Sequence, residues 1–213
     1  ENLLRGREFK KPSPFSWLGG VLASASRMIG SILGPFEQEE LFESSHHGPK
    51  GAVGVKMHEA YLDKKVLTLT GTPEVLVLYR DYLRWNSNLD SMLSDEINLV
   101  MTACGVPELV AFEALAPTPC IGNKLSFVPK SYCKLRTMMV EPVINQFFQL
   151  GLGSMITRRL KRSCNIDLAT QPDCHRRLCK VITSHDLPLA TLDWSQASDR
   201  IWLSLVEHLL PPD

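Results

Sequence analysis

Asp193 closes the apolar run Leu189-Ala190-Thr191-Leu192, and Trp194-Ser195-Gln196-Ala197-Ser198-Asp199 leads from it into a helical pattern. A carboxylate at the carboxyl end of a buried strand is costly unless paired, and its oxygens suit a hard cation such as Mg2+. The plainer reading is an Asp that caps the following helix. Asp193 and Asp199 bracket Ser195 and Ser198, which makes a simple cap less comfortable without refuting it. Upstream, Lys130, Lys134 and Arg136 lie on or beside an expected hairpin. Cations there neutralise phosphates, and Arg adds a bidentate fork, although a solvated hairpin carries the same residue types. A basic finger followed by a strand-end Asp points to metal-assisted phosphoryl transfer, chemistry that is mostly positioning and charge neutralisation.

The charge distribution agrees. The 213 residues carry 23 Lys and Arg and 23 Asp and Glu, for a net of zero, but residues 121–180 hold eleven basic side chains against three acidic ones. The flanking segments are each acidic. A block at +8 draws phosphates or nucleic acid; without a partner it is a solvated basic face. Composition is that of a soluble globular protein, 44% hydrophobic and 22% charged. Six cysteines are too few and too irregular for a secreted disulfide framework, and no apolar stretch is long enough to span a membrane. The chain opens on Glu1 without a leader pattern, so the expectation is an internal piece of a longer protein.

The elements that must position these residues are legible from periodicity. Apolar residues recur at three and four through 17–32, a helix stopped by Gly34-Pro35. Residues 37–45 form a short acidic helix and 46–51, His-His-Gly-Pro-Lys-Gly, a turn-rich loop. A strand is expected at 66–70, a helix from Pro73 through Trp85 and a strand at 109–115. Two β-prone runs, 124–128 and 135–140, flank a polar connection and form the hairpin. Pro142 suits the first turn of a helix whose apolar stripe is Val143, Ile144, Phe147, Phe148, Leu152, Met155, Ile156 and Leu160. A second, weaker helix covers 171–181. The strand 189–193 precedes a helix over 198–210, with Ile201, Leu205, Val206 and Leu209 facing the core. The fold class expected is α+β.

Several strings together resemble the RNA-directed RNA polymerase, or replicase, of the single-stranded RNA bacteriophages (leviviruses). They are Phe127-Val-Pro-Lys130, Arg136, Val140-Glu-Pro142, Asn145, Phe148-Gln-Leu-Gly-Leu-Gly153, Arg159-Leu-Lys161, Ile166-Asp-Leu168, Gln171 and Leu189-Ala-Thr-Leu-Asp193 through Ser198-Asp199. Ile32-Leu-Gly-Pro-Phe36 and His47-Gly-Pro49 extend the match upstream. The resemblance implies a right-hand polymerase of which this chain carries the fingers region and the first strand and helix of the palm. It divides the chain into a helix-rich N-terminal and fingers region (1–120), a basic fingers segment (121–185) and the start of the palm (186–213). It implies that Asp193 binds the catalytic Mg2+, that Lys130 and Arg136, with Lys134 beside them, contact the incoming nucleotide's phosphates, and that Ser198 and Asp199 lie near its ribose 2′-hydroxyl. The implied partners are template and nascent RNA, nucleoside triphosphates and the host elongation factors Tu and Ts, in the cytoplasm of an infected bacterium.

The sequence departs from that pattern in places. Cys133 stands where the family has a second basic residue, with Lys134 next to it, and neighbouring strand residues face opposite ways. Trp194 replaces a smaller residue, Thr183-Ser184 an expected Gly-Ser, and Lys50 precedes the next glycine after Pro49. No Gly-Asp-Asp occurs, and one aspartate cannot build a two-metal site, so this polypeptide alone is expected to be inactive. The alternative from a different class is a non-enzymatic RNA-binding module built on 121–180; a reverse transcriptase matches the finger segment less well. Cys164, Cys174, His175, Cys179 and His185 invite a zinc reading, but no Cys-x-x-Cys pair is present and ordinary thiols are preferred.

Overall fold

The structure is a computed structural model and describes residues 11–86, 98, 102–103, 105, 116–185 and 201–211. It is mixed α and β. The elements are α1 (Trp17–Leu33), α2 (Gln38–Ser44), a 3-10 turn (Met57–Glu59), α3 (Leu62–Val66), β1 (Thr70–Gly71), α4 (Pro73–Trp85), β2 (Thr118–Pro119), β3 (Lys124–Ser131), β4 (Lys134–Val140), α5 (Val143–Cys164), α6 (Gln171–His185) and α7 (Leu203–Leu209). They fall into two units, residues 38–155 and residues 1–37 with 156–213, and α5 contributes to both. No described helix is long and apolar enough to cross a membrane.

The unit 38–155 is built around aromatic packing. Leu41 and Phe42 of α2, Tyr82 of α4 and Val143, Ile144, Phe147 and Phe148 of α5 are buried together with Ala52, Val55 and Leu69. Phe42 meets Tyr82 edge-on at 5.4 Å, and Tyr82 meets Phe147 at 5.2 Å. Such edge-to-face pairs add stabilisation beyond the area they bury. Burial raises the Tyr79 hydroxyl to a pKa of about 12, with Tyr82 adding to the effect. The apolar stripe expected on α5 is buried at Val143, Ile144, Phe147, Phe148 and Met155, with a departure at Leu152. Gly151 is buried and Leu152 exposed, because the Ser45 backbone lies so near that a Cβ on Gly151 would come within 2.8 Å of Ser45 Cα.

The strand expected at 66–70 is instead the end of α3 followed by a turn, and only Thr70–Gly71 extends. The pair Lys64-Lys65 favours helix, and β1 finds its partner in β2, in parallel, with Thr118 N donating to Leu69 O at 2.8 Å. The strand expected at 109–115 and that at 189–193 lie outside the described residues. The hairpin forms as expected, but its strands reach further than the two runs. The antiparallel ladder runs from Lys124↔Val140 to Ser131↔Lys134 and leaves Tyr132-Cys133 as a two-residue turn.

In the other unit α1 is capped at both ends. Ser16 Oγ accepts from Gly19 N at 3.1 Å. Gly34, at φ 66° and ψ −169°, takes a positive-φ conformation open chiefly to glycine where the helix ends, and its N–H reaches Gly30 O. The Arg159 guanidinium donates to Leu33 O and to Pro35 O, placing a cation on the carbonyl end of α1. Helix α7 packs against α1. It starts at Leu203, and Ile201, expected in the core, is 61% exposed, since it precedes the helix.

Candidate functional site

The hairpin β3–β4 has two faces, and its register assigns them. Side chains directly opposite each other share a face. Leu125 pairs with Met139, Phe127 with Thr137 and Pro129 with Leu135, which makes one face almost wholly apolar. All six of these residues are exposed. The other face carries Lys124, Ser126, Val128 and Ser131 opposite Val140, Met138, Arg136 and Lys134. Lys134 and Arg136, two apart on β4, therefore stand on one face. The register shifts between Pro129 and Ser131, leaving Lys130 as the extra residue of a bulge. Cys133, where a basic residue was expected, is in the turn. Lys130, Lys134 and Arg136 are all exposed, and among the described residues no carboxylate forms an ion pair with them.

The base of the hairpin is held from inside the unit. β4 runs into α5 through Glu141 and the buried Pro142. Glu141 O accepts from Val53 N at 2.9 Å, and its carboxylate accepts from Asn123 Nδ2 at 2.6 Å. Thr70 Oγ1 donates to Val53 O at 3.1 Å and accepts from Val143 N at 3.0 Å, which satisfies one of the unpaired donors at the start of α5. Asn145 bonds Thr72 twice, its Oδ1 accepting from Thr72 N and its Nδ2 donating to Thr72 Oγ1. The loop 48–51 is fastened to the same helix. Gln146 Nε2 donates to Gly51 O at 3.4 Å, and the wholly buried Lys65 donates to Gly48 O and to Gln146 Oε1. Burial lowers the Lys65 pKa. His47, its ring 4.9 Å from that of Phe147, is pushed down to a pKa of about 4 by burial, then by Lys65 and His46.

Sequence reasoning missed Lys65. It follows Lys64 in a short segment that reads as solvated, and α3 reverses the usual amphipathic order. Leu62 and Val66 are exposed at 62% and 42% while Lys65 is fully enclosed. Asn145 is in the string that carried the resemblance, whereas nothing in the spacing distinguishes Gln146 from a surface residue.

Asp193, Ser198 and Asp199, expected to hold the metal and to line the ribose site, lie outside the described residues. Cys164, Cys174 and Cys179 are exposed thiols, and no group of three or more His, Cys, Asp or Glu side chains suited to a metal occurs among the described residues. Asp167 Oδ1 accepts from Ala169 N and its Oδ2 pairs with Lys161 Nζ at 2.7 Å; these bonds hold its carboxyl below the usual range.

A family model described as RNA replicase, beta-chain, matches residues 6–213. The RNA-directed RNA polymerase beta chain of Escherichia phage MS2 is 43% identical over 211 residues, covering 96% of this chain and 34% of that protein. The corresponding chain of Enterobacteria phage GA is 30% identical over 200 residues, 92% of this chain and 34% of that protein. The RNA-directed RNA polymerase subunit beta of Qbeta virus (strain MX1) is 46% identical over 90 residues, 42% of this chain and 15% of that protein. This chain thus spans about a third of the length of the relatives it matches from end to end. With a family match across nearly every residue, the hairpin cations and the Glu141-Pro142 junction included, the chain belongs to the RNA replicase beta-chain family.

Proposed function

We propose that this chain is part of an RNA-directed RNA polymerase that copies a viral RNA genome, and that the β3–β4 hairpin binds the triphosphate of the incoming nucleotide. The observation that carries the reading is the placement of Lys134 and Arg136 on one exposed face, with Lys130 in the bulge beside them. Ammonium and guanidinium groups with no carboxylate partner among the described residues keep their charge for a polyanion. A triphosphate laid along that face gains charge-assisted hydrogen bonds that also offset charge developing on the leaving pyrophosphate. In the proposed reaction the 3′-hydroxyl of the growing RNA attacks the α-phosphate, and pyrophosphate leaves.

Mg2+ bound to the Asp193 carboxylate would supply Lewis-acid stabilisation of the phosphate oxygens; a carboxylate is the hard oxygen donor that ion takes. Ser198 and Asp199 would meet the ribose 2′-hydroxyl, which both donates and accepts. The architecture that goes with this reading is a right hand, with residues 1–120 and 121–185 in the fingers and 186–213 opening the palm. Template and nascent RNA are the partners in that reading, along with the host elongation factors Tu and Ts, in the cytoplasm of the infected cell.

In the full-length enzyme, Lys134→Ala with Arg136→Ala is expected to raise the nucleotide KM by roughly two orders of magnitude, from two charge-assisted bonds of about 1.5 kcal/mol each, without a change in the melting temperature. An unchanged KM rejects the hairpin as the triphosphate site. Asp193→Asn is expected to abolish nucleotide incorporation while RNA binding and the circular dichroism spectrum persist. Synthesis at the wild-type rate by that variant refutes the metal assignment. If neither variant affects any synthesis and RNA binding alone is measurable, steeply dependent on salt, the chain is an RNA-binding module instead.

A further inference from the structure

Lys65 has no solvent exposure, and among the described residues no Asp or Glu pairs with it. Its ammonium meets two neutral acceptors, Gly48 O and Gln146 Oε1, on two elements distant in sequence. Enclosing an ammonium without an anion is unfavourable, and an apolar side chain of similar length fills the same volume at lower cost. Filling space therefore does not account for a lysine here. What an ammonium adds is a charge-assisted bond to each of two oxygens on separate elements, a tie that no apolar side chain can make.

Those oxygens bear on the hairpin. Gln146 is fixed by Lys65 on one side and holds Gly51 O on the other, so loop 48–51 and the first turns of α5 are fastened to each other. Loop 48–51 continues into Val53, which bonds Glu141 O, and Val53 O in turn takes the Thr70 hydroxyl that caps Val143 N. Glu141 is the residue after the last of β4, and Asn123, bonded to its carboxylate, precedes the first of β3. Hydrogen bonds and a few peptide units thus link Lys65 to both strands of the hairpin at their base.

We infer that Lys65 is a positioning residue, which locks loop 48–51 to α5 and thereby fixes the direction in which the hairpin presents Lys134 and Arg136. The inference rests on the nucleotide-binding reading of that hairpin. It separates what Lys65 does for geometry from what it does for stability, and the two respond differently to substitution.

The test compares Lys65→Met and the double variant Lys65→Met/Gln146→Leu in the full-length enzyme. The double variant removes the buried ammonium and its side-chain partner but leaves the Gly48 and Gly51 carbonyls without these donors, two effects of opposite sign, so the protein is expected to stay folded with a melting temperature within about 5 °C of the wild type. Both variants are expected to raise the nucleotide KM about tenfold with kcat within about twofold, and to speed amide hydrogen exchange at Val53 and Val143 at least tenfold. A double variant that is stable and binds nucleotide with the wild-type KM overturns the inference, because a merely structural lysine is fully replaced by apolar packing. If Lys65→Met does not fold, Gln146→Leu alone breaks half the clamp and is read by the same two measurements. The exchange measurement is independent of nucleotide. Faster exchange together with a KM that is insensitive even to Lys134→Ala/Arg136→Ala sinks the nucleotide reading and leaves Lys65 as the anchor of the hairpin base; unchanged exchange sinks the Lys65 inference whatever the hairpin binds.

Discussion

The unit formed by residues 38–155 holds lysines in two opposite surroundings. Lys134, like Arg136 and Lys130, stands in water on a two-stranded hairpin whose side chains are exposed over most of its length. Lys65, tied to loop 48–51 and α5 behind that hairpin's base, has no exposure at all. In water a cation costs the fold almost nothing and remains available to a ligand; in the interior it is costly and is committed to the partners it has. The contrast separates the part of the molecule that meets another molecule from the part that decides where the meeting takes place. A hairpin standing clear of a core has few contacts of its own to set its direction, so its direction must come from its base.

The largest expected effect tests whether the base really is the rigid partner. Ile144 is 1% exposed and packs in the aromatic core at the start of α5, one residue after the Val143 amide that Thr70 caps. Ile144→Ala is expected to cost about 4 kcal/mol, the transfer loss of the removed methylenes plus the cavity they leave, measured as the shift in a urea unfolding midpoint. A cost below about 1 kcal/mol would mean that the core closes over the gap, and the base is then no more rigid than the hairpin it carries.

How much of this arrangement was legible in the sequence follows the same division. Helices α1, α4 and α5 and the hairpin announce themselves by period and by turn chemistry, because each buries or exposes a regular set of its own residues. The cations of the hairpin were found because they lie in sequence beside the β-prone runs. The sharing of a face by Lys134 and Arg136 was not, since the expected strand began at 135, and the tight turn at Tyr132-Cys133 brings Lys134 into β4 two residues from Arg136. Lys65, Thr70 and Gln146 were invisible for a different reason. They join residues 17 to 95 positions apart, and no local pattern marks a side chain whose partner is a carbonyl on a remote loop. Residues 66–70 were read as strand, whereas Val66 ends the short α3 and only Thr70 extends, because tertiary neighbours rather than period decide the form of this stretch.

A smaller effect sharpens the picture of the base through pH. His47 titrates near 6.5 in an unfolded chain and about 4 in the fold, where burial, Lys65 and His46 all oppose its charge. Between those pH values the unfolded chain binds the extra proton, so stability present above pH 6.5 is lost as the pH falls toward 4 and changes no further below it. In full this linkage amounts to about 3 kcal/mol, and the ring's residual exposure reduces it to about 2 kcal/mol. Carboxylates titrate in the same range, so the measurement is the difference between wild type and His47→Gln across pH 4 to 7. The two curves are expected to converge by about 2 kcal/mol at the acid end relative to pH 7. Parallel curves mean that His47 is solvated and that the packing of loop 46–51 is looser than its contact with Phe147 implies.

The smallest expected effect concerns the other side of the comparison. Phe127 and Leu135 lie on the apolar face of the hairpin and are exposed at 57% and 67%, so replacing them removes little buried surface. With about 1.5–3 kcal/mol for complete burial of such a side chain as the measure, residues this exposed contribute on the order of 1 kcal/mol each. Phe127→Thr with Leu135→Thr places β-branched residues in the ladder, which offsets part of that loss, and is expected to lower the unfolding free energy by about 1 kcal/mol. The same pair of changes spares Lys134 and Arg136 on the opposite face, and the nucleotide KM is expected to stay within twofold. A loss above about 3 kcal/mol would show that the apolar face is covered in the folded protein, and the hairpin would then take its direction from that cover as well as from Lys65 and the start of α5.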